Sequence, residues 1–263
     1  MNLPEAIILG LLQGLTEFLP VSSSGHLELG KYLFGIDPKA NFYFSVAVHG
    51  ATVLSTIAVF RNEIASLFKG LLTFKLNEET KYLIKIMISM LPVAIVGLFI
   101  HRIEQRFFTG NMVSLGVNFF ITACVLWLTV LVKPRERSIS YIDSFIIGIA
   151  QAIAVLPGIS RSGATISTGL IIGNKRSEIA KFSFLMVLIP VIGANVVELL
   201  EGNFSQGDTS LYIIAAGFLT AFITGYLACK WMISLVRRGS LAWFAVYCII
   251  AGIFSILLGF NVF

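Results

Sequence analysis

Gln13 and Glu17 stand four residues apart in an apolar stretch, so on a helix both side chains leave the same face. A carboxyl group at membrane depth costs at least about 2.5 kcal/mol if it faces lipid, so Glu17 requires a partner. Pro20 then breaks the stretch, and Ser22, Ser23, Ser24, Gly25 and His26 follow. A serine at a helix start is an ordinary N-cap, which accounts for one of three hydroxyls. The imidazole of His26 can move a proton or attack phosphorus directly. Far along the chain, the run from Pro157 to Gly163 carries Arg161 between Ser160 and Ser162. A guanidinium in mid-membrane needs an anion, and its planar fork suits phosphate oxygens. Free amides at the start of the half-helix after each break add an anion-binding nest. Two nests, an arginine and hydroxyls suit a pyrophosphate; the competing readings are a cap for Glu17 and a structural Arg161–Glu17 ion pair.

The elements that must hold these groups are membrane helices. Hydrophobic residues make up 57% of the 263 positions and charged residues 13%, which leaves a soluble globule no place for its apolar surface. An all-α polytopic bundle in one membrane domain is expected. Six segments are long enough to span, about Phe42–Phe60, Leu83–His101, Met112–Val132, Ile179–Leu199, Leu211–Lys230 and Leu241–Phe260. Leu3–Phe34 and Tyr141–Gly173 are apolar but broken in the middle, and each half is too short to cross alone. Each reads as a re-entrant helix-break-helix hairpin whose broken backbone is covered by protein.

The two hairpins align with each other. Gln13 meets Gln151 at an offset of 138 residues (151 less 13), and at that offset Ser22 meets Ser160, Ser24 meets Ser162 and Gly25 meets Gly163. The chain therefore reads as two repeats, about 1–135 and 139–263. One hairpin plus three spans per copy inverts the second copy, and inverted repeats with broken helices place their site where the copies meet. Glu17 aligns with Val155, His26 with Ala164 and Arg161 with Ser23, so acid and base lie in one copy and the cation in the other. That division favours chemistry over simple passage.

Charge sets the expected orientation. Thirteen lysines and arginines (61, 69, 75, 81, 133, 135, 137, 175, 176, 181, 230, 237 and 238) fall on one side, against Lys31, Lys39, Arg102 and Arg106 on the other. The richer side is expected in the cytoplasm, so the first hairpin opens outward and the second inward. Basic residues in short loops rather than on one stripe argue against nucleic acid. Cys124, Cys229 and Cys248 show no ligand spacing and read as packing residues. Met1–Pro20 has no basic n-region or cleavage site, so it is expected to remain in the mature protein. His49, Asn195, Glu198 and Glu201 read as packing, capping or interfacial groups, with His49 the one able to line the same cavity.

These residues resemble the bacterial undecaprenyl-diphosphate phosphatase family, the bacitracin-resistance type. Its first signature is matched by Gln13-Gly14-Leu15-Thr16-Glu17 and continues to His26; its second, Pro-Gly-x-Ser-Arg-Ser-x-x-Thr, by Pro157 to Thr165. The resemblance covers essentially the whole chain. It implies a hydrolase that removes the terminal phosphate of undecaprenyl diphosphate, recycling the carrier for peptidoglycan and conferring bacitracin resistance. It also implies a multi-pass protein of the bacterial plasma membrane with its site toward the outer face, and a divalent cation, Mg2+ or Ca2+. Gln13 in place of a second glutamate leaves one carboxylate fewer for that metal. On this reading Glu17, Ser23, His26 and Arg161 are catalytic, and Glu17 with Gln13 positions the cation. Ser22, Ser24, Gly25, Ser160, Ser162 and Thr165, with Gln13, bind substrate. Ser23, His26 or an activated water could each be the nucleophile. Membrane lipids and polyprenyl diphosphate are the expected partners, and self-association stays open. The rival class is a secondary transporter or polyprenyl-phosphate flippase.

Overall fold

The computed structural model describes residues 1–36, 42–97, 111–132, 135–201, 210–239 and 241–260, and only the backbone of 42 and 198–201. Lys39, Arg102, Arg106 and Lys133 lie outside the described residues, as do the side chains of Glu198 and Glu201. The described chain is helical: α1 (Leu3–Phe18), α2 (Ser23–Leu33), α3 (Phe42–Val59), α4 (Arg61–Leu71), α5 (Glu78–Gly97), α6 (Met112–Leu131), α7 (Tyr141–Ile153), α8 (Arg161–Ile171), α9 (Arg176–Glu201), α10 (Leu211–Arg238) and α11 (Ala242–Gly259).

Local chemistry sets the helix ends. Asn2 with Glu5, and Ser140 with Asp143, form capping boxes that start α1 and α7. Leu19 is extended ahead of Pro20, which stops α1. Among the described residues five helices are long and apolar enough to cross a bilayer: α5, α6, α9, α10 and α11. The segment α3 makes a sixth when taken with α4, from which it is bent by 74°. The stretch between the expected spans Phe42–Phe60 and Leu83–His101 is thus not a plain loop. Arg61 and Glu63 end the apolar run, so the chain turns there; Ile64 and Leu67 pack on the core while Arg61 stays exposed, the pattern of an interfacial helix. Arg176, Lys181, Lys230, Arg237 and Arg238, expected in short loops, lie on helices, in the first turns of α9 and the last turns of α10.

The pairs α1–α2 and α7–α8 each pack on themselves around their breaks. At the far end of the second pair, Arg137 Nη2 reaches both Asp143 at the start of α7 (2.7 Å) and the Ile172 carbonyl after α8 (3.1 Å). Asn174 donates to the same Asp143 carboxylate at 3.1 Å. The two ends of this hairpin are thus tied together, and Ala6, Leu9, Leu27 and Ile36 do the same for the first through apolar contact. The helix α1 packs along α10, and α5 along α7. Small residues allow both approaches, with Gly10 against the Gly217 backbone and Gly148 against the Ser89 backbone. Cys229 and Cys248 are fully buried, but Cys124 is exposed on the outer face of α6, which corrects its reading as a packing residue.

Candidate active site

The two breaks meet in the interior. Ser22 caps α2 by accepting from the Gly25 amide at 3.3 Å, and Ser160 caps α8 by accepting from the Gly163 amide at 3.0 Å. In each, a further serine stands close to the cap, with Ser22–Ser24 and Ser160–Ser162 hydroxyls both 3.3 Å apart. Ser162 donates across to the Leu19 carbonyl at 3.1 Å, joining one break to the other. A Cβ at Gly25 would stand 3.1 Å from the Gly158 Cα and 2.7 Å from the Phe119 ring, so the contact needs glycine.

Backbone freed by a break must find partners inside the protein. For the second break they come from α6. Asn118 donates to the Pro157 carbonyl at 2.7 Å, and Thr122 donates to the Gly158 carbonyl at 2.9 Å while accepting from the Ser160 amide at 3.0 Å. Gly158 has φ +90°, and a Cβ there would lie 2.7 Å from that of Asn118. Ser22 holds φ +69° without being glycine, a conformation that costs about 1 kcal/mol or more and is retained by its capping contacts.

Glu17 is the hub. Its Oε1 receives Arg161 Nη2 at 2.5 Å, and its Oε2 receives the Ser23 hydroxyl at 2.5 Å and the Gln13 amide at 2.8 Å. The Glu17 side chain is 8% exposed and that of Arg161 26%. No other hydrogen bond from the guanidinium is made among the described residues, and Arg161 lines a cleft with Thr52, Thr56, Ser162 and Ser183 on its polar side. His49 is anchored by the Ser45 carbonyl at 2.8 Å, within electrostatic reach of both Glu17 and Arg161.

His26 meets α11 and not Glu17. Its Nδ1 meets the Ser22 carbonyl at 2.8 Å and its Nε2 the Tyr247 hydroxyl at 2.7 Å, with Phe119 edge-on to the ring. A carbonyl can only accept, so Nδ1 carries the proton; in the neutral ring this leaves Nε2 to accept from the tyrosine hydroxyl. Three residues after Ser23 on α2, His26 is directed at α11 while Ser23 meets Glu17. Thr165 also lies off the cleft, its hydroxyl donating to the Arg161 carbonyl at 2.8 Å and meeting Ser183.

Sequence reasoning missed Asn118, Thr122, Ser183 and Tyr247. Asn118 and Thr122 carried a signal, two polar side chains four apart in an apolar span; Tyr247 carried none, since an aromatic residue in a membrane helix is ordinary.

The donor set bears on a cation. Gln13 Oε1 is buried without a hydrogen-bond partner beside the Glu17 carboxylate. No group of three His, Cys, Asp or Glu able to hold a metal occurs among the described residues. One carboxylate and one free amide oxygen are too few to hold a divalent ion by themselves, but they suit one that also takes phosphate oxygens from its substrate.

Residues 6–254 match the family described as bacitracin resistance protein BacA. The chain is 49% identical to an undecaprenyl-diphosphatase of Christiangramia forsetii over 99% of both chains, and 49% identical to one of Parabacteroides distasonis over 96% of both. It is 37% identical to an undecaprenyl-diphosphatase of Carboxydothermus hydrogenoformans over 98% of both.

Proposed function

Because this chain belongs to the bacitracin resistance protein BacA family, we propose that it is a membrane hydrolase that converts undecaprenyl diphosphate to undecaprenyl phosphate and inorganic phosphate. It is a multi-pass helical membrane protein. The observation that carries the mechanism is the Glu17 carboxylate, joined at once to a hydroxyl of its own hairpin and to a guanidinium of the other.

A hydroxyl within hydrogen-bond reach of a base that a third group orients is the arrangement of an activated nucleophile. Ser23 Oγ attacks the terminal phosphorus while Glu17 takes its proton. An Oγ–P bond forms, the bond from that phosphorus to the bridging oxygen breaks, and undecaprenyl phosphate leaves with the proton from Glu17. Water then attacks the phosphoserine, Glu17 accepts the water's proton, and Ser23 recovers it as inorganic phosphate departs. Arg161 and the amides that open α2 and α8 neutralise charge on the transferring group, the main means by which proteins accelerate phosphoryl transfer. Of the three nucleophiles open in the sequence, this geometry favours Ser23. His26 Nε2 would have to release Tyr247 before it could attack. Glu17 and Gln13 Oε1 would hold a divalent cation, which when bound would offset diphosphate charge.

The two hairpins act as inverted copies, with their meeting point as the site. The charge bias orients the first hairpin and the cleft outward in the bacterial plasma membrane, where recycling of the carrier for wall synthesis and bacitracin resistance would place it. Purified protein in detergent, supplied with undecaprenyl diphosphate and Mg2+ or Ca2+, should release one phosphate per lipid. Detergent leaves no compartments, so a transporter or flippase would release none, and that result would overturn the proposal.

A further inference from the structure

The apolar side of the cleft runs on into a groove. Val187, Leu188 and Val191 of α9 face Glu17 and Arg161 across the cleft, and the next residues of the same helix, Ile192 and Val196, line a second space of about 360 Å³. Val53 of α3 belongs to both walls, and Val46, Ala47 and Gly50 continue along α3, with Phe218 of α10 closing the floor. The amide of Asn195 donates back to the Val191 carbonyl at 2.8 Å while its Oδ1 is buried without a hydrogen-bond partner, and Asn195 and Tyr43 are the polar side chains of an otherwise apolar lining.

We propose that this groove between α3 and α9 binds the isoprene units nearest the diphosphate. The inference deepens the phosphatase reading and rests on it. A diphosphate seated between Arg161 and Ser23 must send its hydrocarbon out through a predominantly apolar opening, and this groove starts at the residues that line the cleft. The wall from Gly50 and Val53 back to Val46 covers about 10 Å of helix axis at 1.5 Å per residue, so it holds only the start of a long tail and leaves the rest in lipid. Contact would fall off with distance from the head, and chain-length preference would be set by the first few isoprene units.

Gly50 provides the handle. A Cβ there meets no atom within 4 Å, so a substituted side chain has room to start into the groove from this position. Gly193 on α9 has the same open space but does not line the groove, and serves as a control.

The experiment compares hydrolysis of dimethylallyl, farnesyl and undecaprenyl diphosphates by the wild type, Gly50→Phe and Gly193→Phe in detergent. In Gly50→Phe, KM for the two longer substrates should rise at least tenfold with kcat within twofold, while dimethylallyl diphosphate and the Gly193→Phe enzyme stay unchanged. An equal effect on all three substrates, or no effect on any, overturns the groove assignment. Failure of the wild type to hydrolyse any of them counts against the phosphatase reading instead. As a measurement independent of any variant, a farnesyl diphosphate analogue with a terminal benzophenone should cross-link within residues 43–53 or 187–196. Labelling confined to other helices overturns the proposal.

Discussion

Arg161 Nη2 lies 2.5 Å from Glu17 Oε1 although 144 residues separate them in the chain. Neither group could sit at this depth alone, since one would be an unpaired cation and the other an unpaired carboxylate. The pair holds the two hairpin tips together and leaves Arg161 with donors to offer. That is the arrangement needed by a site that binds a diphosphate and neutralises it as a bond breaks.

Replacing Arg161 with lysine keeps the charge and loses the fork. Lysine is a point charge that cannot engage Glu17 and a phosphate oxygen in one plane. We expect kcat for phosphate release to fall by about a hundredfold or more, as when a preorganised donor to a developing charge is removed. Turnover close to that of the parent would remove Arg161 from the mechanism.

Ser23 as nucleophile demands a phosphoenzyme. Rapid acid quench with substrate labelled in its terminal phosphate should leave label on the protein, and Ser23→Ala should abolish both label and steady-state turnover. If label persists in that variant, another group attacks.

The His26–Tyr247 contact separates two roles for the imidazole. Tyr247→Phe keeps the stacked ring, whose centroid lies 5.5 Å from that of His26, and removes only the hydroxyl on Nε2. If His26 braces the start of α2 against α11, activity should fall modestly, in line with the roughly 1 kcal/mol of a single hydrogen bond. A rise in activity would mean that the freed Nε2 is itself the attacking atom.

Thr122→Val should cost stability as well as activity. The substitution preserves shape but leaves the Gly158 carbonyl and the Ser160 amide unpaired in the interior, at about 1–3 kcal/mol each. A thermal unfolding midpoint several degrees below the parent is expected, with phosphate release reduced because the amides opening α8 are no longer held. An unchanged midpoint would show that other groups satisfy the break.

The sequence by itself determined the membrane class, the two broken hairpins and the polar groups that must find partners inside the bundle. Each follows from local chemistry: twenty apolar residues span a bilayer, a proline followed by three serines ends one helix and caps the next, and a guanidinium or carboxylate at that depth demands a partner. The repeated spacing of Ser22-x-Ser24-Gly25 and Ser160-x-Ser162-Gly163 is accompanied by the same serine-to-glycine cap at both tips, although Ser22 holds φ +69° and Ser160 φ −75°. Tertiary structure decided which partners those groups take. Ser23 and His26 lie three apart on one short helix, and only the positions of α1 and α11 send the first to Glu17 and the second to Tyr247. The turn of α4 away from α3, and the groove between α3 and α9, likewise depend on how separate helices pack, because a side chain's neighbours across an interface are fixed by the arrangement of the whole bundle and not by spacing along one strand of sequence.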